Sequence, residues 1–386
     1  MKKLSPRLRL TVAVILAHFV NDVPLALLPA VLPILIAEFN LSYGSSGALI
    51  TTSSFLMTSL QAVTGYVADR RNRIKFLLIG LITLGLGTLL ISFSANYAQL
   101  LLFECVVGLG ASFYHPIGYA LLSDAFETGN RGKALGWGSA AGDLATPVAF
   151  IMSGLLVLIL GWRNIFILWG LTTIMVSLII PFIAADPKKA SPHPTVTAKS
   201  TKQVVVALIP VIVVMGIATA CYKIVVSFTT TYLTTFGIDI SSANNITALM
   251  MIIGAVGSVM GGTLIDKFGE KKTVLGELTA LGLLCLMASY VRNEYFISIL
   301  FCLIGFVLLS VFPSFYSAIA SKSNLGSRSL IYGLLFAIAW SFGSIFPYIS
   351  GSFADIFGLY VTYILAGVLA ILGGLIWHIM FKGKSV

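Results

Sequence analysis

Three stretches of this 386-residue chain place ionisable side chains inside apolar surroundings. The first carries His18, Asn21 and Asp22, and their i, i+3, i+4 spacing sets all three on one face of a helix. The second carries Glu104, Gly108, Ser112 and His115 at helical intervals, ending in His115-Pro116, and Asp143 follows one segment later. The third holds Tyr222 beside Lys223. Carboxylates and imidazoles in such places suit proton uptake and release, because imidazole changes charge near neutral pH. The same groups offer nitrogen and oxygen donors to a divalent transition ion. Plainer roles stand beside these: a hydrogen bond from Asp22 to a neighbouring helix, and packing for each histidine. Asp143 is expected to pair with His18 or His115. Lys223 either attracts an anionic substrate or offsets a nearby carboxylate. Glu104 and Asp124 read as snorkelling or loop-anchoring groups. No HExxH pair, Walker motif, Gly-rich nucleotide loop or nucleophile elbow occurs, so neither an enzyme nor an ATP-driven pump is indicated, and no cofactor or bound metal is expected.

The elements that position these groups follow from composition. Hydrophobic residues make up 58% of the chain and charged residues 10%, against roughly a quarter charged in soluble domains, so the expected class is an all-α membrane protein. Continuous apolar runs fit membrane helices of about 20 residues and exclude the short alternating segments of a β-barrel. The runs predict twelve transmembrane helices, near 10–38, 45–68, 74–95, 98–123, 133–159, 163–184, 204–235, 243–264, 272–291, 295–320, 329–353 and 358–381. Three domains result: an N-terminal six-helix bundle at 1–184, a polar cytoplasmic linker at 185–203 and a C-terminal six-helix bundle at 204–386. On this parse 21 of the 24 lysines and arginines fall on one side; the exceptions are Arg163, Arg292 and Lys223. The positive-inside rule then puts both termini in the cytoplasm, in a multi-pass protein of the cell membrane. The net charge of +10 reports that topology and contact with the lipid bilayer, with no nucleic-acid partner expected. Cys105, Cys221, Cys285 and Cys302 sit inside apolar runs and read as small buried hydrophobes.

Shifting the chain by 197 positions superposes its halves without a gap: Phe39 on Phe236, Gly65 on Gly262, Asp69 on Asp266, Gly108 on Gly305, Pro116 on Pro313 and Gly170 on Gly367. Parallel six-helix repeats of this kind belong to secondary transporters, with substrate sites near the bilayer midplane. The loop after the second helix reads Gly65-Tyr-Val-Ala-Asp69-Arg70-Arg71-Asn72-Arg73, and its copy reads Gly262-Thr-Leu-Ile-Asp266-Lys267-Phe268-Gly269-Glu270. Both resemble the G-x-x-x-D-[RK]-x-G signature of the major facilitator superfamily, although Asn72 stands where the family usually has glycine. The resemblance covers the whole chain. It implies the major facilitator fold, two pseudo-symmetric bundles working by alternating access on a small-molecule substrate, with a monomer as the family expectation. Gly65, Asp69, Arg70 and Arg73, with Gly262, Asp266 and Lys267, are then gating residues. The two glycines are expected to allow close helix approach.

A narrower resemblance rests on Ala17-His18-Phe-Val-Asn21-Asp22 and on Gly108-Leu-Gly110-Ala-Ser112-Phe-Tyr-His115-Pro116. These are similar to the fosmidomycin-resistance branch of the superfamily and imply a proton-coupled drug exporter. Ile117 stands where that branch tends to have Glu, and no Gly-Pro antiporter motif follows in the fifth helix. His18, Asn21, Asp22, His115, Asp143, Tyr222 and Lys223 are thus the candidates for proton coupling or substrate binding. A divalent-metal or organic-anion carrier built on the same His/Asp cluster is the alternative.

Overall fold

The structure, a computed structural model, describes residues 5–126, 128–184, 208–322 and 337–381. The linker expected at 185–203 lies outside the described residues. Long apolar segments become helices because only an internally hydrogen-bonded backbone is tolerated in hydrocarbon. They are α1 (Pro6–Phe39), α2 (Tyr43–Asp69), α3 (Arg73–Ile91), α4 (Tyr97–Ala111), α5 (Tyr114–Ala125) and α6 (Thr128–Ile183). Then come α7 (Ile209–Thr234), α8 (Ile240–Phe268), α9 (Glu270–Tyr290), α10 (Glu294–Lys322), α11 (Phe346–Phe357) and α12 (Val361–Met380), with 337–344 also helical.

Among the described residues nine helices are long and apolar enough to cross a membrane. The other predicted spans fall on α2, whose many Ser and Thr lower its hydropathy, on 337–357, and within α6. Two predicted spans share α6, which turns sharply at Gly161, where φ is 75° and a side chain would be strained. Conversely, one predicted span is split into α4 and α5. The Ser112 amide is shared between the Gly108 and Leu109 carbonyls, and Phe113 reaches only back to Gly110. Thr64 of α2 donates its hydroxyl to the Ser112 carbonyl at 2.8 Å, which satisfies a group the break leaves over. Pro116 in the first turn of α5 fits a position that needs no amide donor.

The chain divides into two units, Met1–Phe39 with Thr52–His193 and Asn40–Thr51 with Pro194–Val386. In the first, α1 lies along α6, and Arg9 donates to the carbonyls of Ile183 and Phe182, closing the C-terminus of α6. Glu38 at the other end of α1 accepts from Trp162 and Arg163 just beyond the Gly161 turn. In the second unit α8 packs on α10 and α9 on α12, around a core that includes Met215, Phe315 and Trp377. The four cysteines are free, with Cys221 and Cys285 buried.

Candidate functional site

Three prolines interrupt the α1 sequence beyond Asp22, yet the helix runs unbroken and carries His18, Asn21 and Asp22 on the face covered by α6. The approach is set by glycine. A Cβ at Gly142 would collide with His18 Nε2 and stand 2.7 Å from Asp22 Oδ2, so only glycine lets α6 close over this pair. One turn earlier the Gly138 carbonyl lies 2.6 Å from His18 Nδ1.

That last contact fixes the chemistry of the ring. A carbonyl oxygen only accepts, so Nδ1 is the donor, and a neutral imidazole then carries its lone pair on Nε2. Nε2 faces Asp22 Oδ2 at 3.2 Å. Two acceptors held face to face need a cation between them, which is one shared proton in the simplest case. Asn21 donates to the other carboxylate oxygen at 2.8 Å. Its own Oδ1 is buried and finds no donor among the described residues, an open acceptor beside the pair.

The α4–α5 break brings the second histidine in. Restarting the helix at Tyr114 stacks that ring on His18, 4.3 Å between centroids, and sets His115 edge-on to His18 at 5.2 Å. Tyr119 lies parallel to His115 at 6.1 Å and is held by Ser139 of α6 at 3.2 Å. One ligand atom from each of His18, Asp22 and His115 falls within 4.8 Å of the others, close enough to share a small cation. Five of the predicted residues are thereby gathered in the first unit. Asp143 is within electrostatic reach of His18 and Asp22. The expected pairing of Asp143 with a histidine is not formed: it is exposed and makes no ion pair within 4.0 Å among the described residues, since His18 is already taken by Asp22.

Tyr222 and Lys223 belong to the second unit. Tyr222 meets Phe312 at 6.2 Å and Trp340 at 5.6 Å, and the last two stack on one another. Lys223 Nζ lies 5.8 Å from the Trp340 ring centre, so this cation borders an aromatic cluster.

The loop motifs differ between repeats. In the first, Arg73 bridges Asp69 and Asp124, and Arg70 lies over the Tyr66 ring. Asp124 is therefore an ion-pair partner within the unit, not merely a loop anchor. Asn72, at the family's glycine position, caps α3 by accepting from the Lys75 amide at 3.0 Å. Gly65 does allow close approach, since a Cβ there would meet Pro116 at 3.0 Å. Gly262 does not: a Cβ there would meet nothing within 4 Å. Close packing of α8 on α10 uses Gly254, Gly257, Gly261 and Gly305 instead, which sit against backbone carbonyls. Asp266 is exposed, Lys267 lies 5.2 Å from the Phe268 ring, and Glu270 occupies the position equivalent to Arg73, so the first repeat's bridge has no counterpart among the described residues.

Sequence reasoning missed Tyr114, Tyr119, Gly138 and Gly142 as parts of the site. The four-residue spacing of Gly138 and Gly142 was the available signal, since small residues one turn apart mark a close helix contact. It also misplaced Glu104, which is 3% exposed and hydrogen-bonded to Ser53, because Gly108 draws α4 tightly onto the α2 backbone.

Comparison with known proteins agrees with this architecture. The sequence profile of the Major Facilitator Superfamily matches residues 14–346 and, separately, 211–385. The uncharacterized MFS-type transporter YfnC of Bacillus subtilis (strain 168) is 27% identical over 93% of this chain and 89% of its own length. The fosmidomycin resistance protein of Escherichia coli (strain K12) is 25% identical over 94% of this chain and 90% of its own. Among solved structures, a bacterial homolog of the human lysosomal transporter Spinster, inward-facing and unoccupied, superposes with a TM-score of 0.86 at 16% identity, covering 97% of both chains.

Proposed function

Because the chain belongs to the Major Facilitator Superfamily, and is thus a multi-pass membrane transporter with that fold, we propose that it is a proton-coupled secondary active transporter working by alternating access. It exports a small, anionic, drug-like molecule from a cell whose plasma membrane holds it as a monomer with both termini cytoplasmic. The bundles are 1–184 and 204–386, joined by the 185–203 linker. The observation that carries proton coupling is the fixed tautomer of His18. With Nδ1 committed to Gly138, the His18–Asp22 contact is stable with one proton and repulsive without it. His115 and Asp143 adjoin that seat and relay or tune the proton. Lys223 and Tyr222 supply a cation and an aromatic face for the substrate. Gly65, Asp69, Arg70 and Arg73, with Gly262, Asp266 and Lys267, gate the cytoplasmic side. Export of a drug-like anion rests on likeness to the fosmidomycin resistance protein.

The test is flux of fosmidomycin in reconstituted vesicles under an imposed pH gradient. Asp22→Asn should abolish gradient-driven flux while leaving substrate exchange in place. Driven flux at the wild-type rate in that variant removes the role given to Asp22. The clustering of three donor atoms within 4.8 Å favours a second reading, a divalent-metal carrier. Thermal stabilisation by a divalent transition ion, lost in His18→Ala, with no response to phosphonates, selects it.

A further inference from the structure

A second buried carboxylate stands apart from the His18 site. Glu277, two turns into α9, is 7% exposed and lines a groove of about 440 Å³ between α8, α9 and α10. Its Oε2 faces the Ser314 hydroxyl at 3.5 Å, the outer limit of a hydrogen bond, and its Oε1 is buried with no donor among the described residues. The nearby Ser310 hydroxyl donates to the Val307 carbonyl at 2.9 Å and also stands within reach of the Glu277 carboxyl. The groove walls are apolar, formed chiefly by Phe268, Phe306 and Val307, and exposed Lys272 sits at the rim about 7.5 Å of helix rise away. At Gly276 an added Cβ would meet nothing within 4 Å, so the space beside Glu277 is open.

A buried carboxylate oxygen without a donor is costly unless a partner arrives. Apolar walls around a single acceptor of negative charge specify the partner's chemistry: an apolar body bearing one N–H cation. Cavities of this size hold drug-sized ligands. We infer that the groove between α8, α9 and α10 is a binding site for an amphiphilic organic ammonium ion, whose N–H is taken by Glu277 and whose apolar part lies on Phe268 and Phe306. This site is independent of the proton seat in the first unit and of the reading given to it.

The test is equilibrium binding of a radiolabelled arylalkyl tertiary amine to the full chain in lipid nanodiscs. Saturable binding of one amine per chain is expected. Glu277→Gln should weaken it at least tenfold by removing the charge. Gly276→Leu should do the same by filling the groove from a position where the new side chain meets open space, with thermal stability unchanged. His18→Ala should leave amine binding intact. Absence of saturable binding, unaltered affinity in both groove variants, or equal affinity for a neutral carbon isostere of the amine overturns the inference.

Discussion

Replacing Gly142 by alanine adds one methyl group at the closest point between α6 and the His18–Asp22 pair. Ordinary contact begins near 3.4 Å, whereas the new Cβ would stand 2.7 Å from Asp22 Oδ2 and nearer still to His18 Nε2. Each group must move by about 0.7 Å or more, and neither is free to. His18 is held by the Gly138 carbonyl on one side and stacked on Tyr114, while Asp22 is tied to Asn21. Overpacking of this kind costs about 1–3 kcal/mol, offset by about 0.5–1 kcal/mol from replacing a helical glycine. The net loss of stability is therefore small, about 0–2.5 kcal/mol. The functional loss is expected to be larger, because the displacement falls on the proposed proton seat itself: 1.4 kcal/mol there is a factor of ten. Gradient-driven flux in vesicles should drop tenfold or more, with proton movement read by an entrapped pH dye. Gly136→Ala is the control, since a Cβ at Gly136 meets nothing within 4 Å. If Gly142→Ala transports at the wild-type rate with the wild-type pH response while Gly136→Ala behaves the same, the seat is not where coupling occurs.

Three further outcomes are expected. Arg73→Gln removes the bridge between Asp69 and Asp124, whose carboxylate is largely buried, and should cost about 1–3 kcal/mol in SDS unfolding, whereas Lys267→Gln should change nothing measurable. Gly305→Ala should destabilise strongly, because its Cβ would run into the Met250 carbonyl, while Gly262→Ala should be neutral or slightly stabilising by the same assay. Asp239 caps α8 by accepting from the Ser241 and Ser242 amides, and its contacts with Ser242 hold the carboxyl below its ordinary range. A depressed carboxyl contributes stability above its unfolded-state pKa, lost as pH falls through the folded value. Asp239→Ala should therefore cost about 0.5 kcal/mol at pH 7, and the difference from wild type should shrink as pH falls below the ordinary aspartate value of about 3.9.

Much of the architecture was legible because lipid imposes a coarse rule. Apolar runs had to become helices, and Gly65/Gly262 and Asp69/Asp266 betrayed the repeat. The shared face of His18, Asn21 and Asp22 followed from spacing alone. What spacing could not tell is which side of an apolar helix faces another helix. Glu104 and Glu277 look peripheral in sequence, or go unremarked, yet both are buried, because hydropathy is uniform around such helices. Gly262 matches the motif, but a Cβ there would meet nothing within 4 Å, and Gly257, five residues earlier, makes a close contact instead. Tyr114 and Tyr119 reach the histidines only because the helix breaks at Ser112, a local event with no periodic trace.

The two repeats share a scaffold but not its polar cargo. Advancing 197 positions carries His18 to Met215, Asp22 to Thr219, His115 to Phe312 and Asp143 to Trp340. Duplication has thus left an acid–base pair in one copy and an aromatic cluster in the other. On the proposed coupling through the His18–Asp22 pair, one proton would move per turnover, which would bound the carrier's work. One pH unit supplies about 1.4 kcal/mol per proton, membrane voltage aside. One-for-one exchange on that proposal would hold a substrate gradient of about one decade per pH unit, a ceiling that would follow from the asymmetry of the halves.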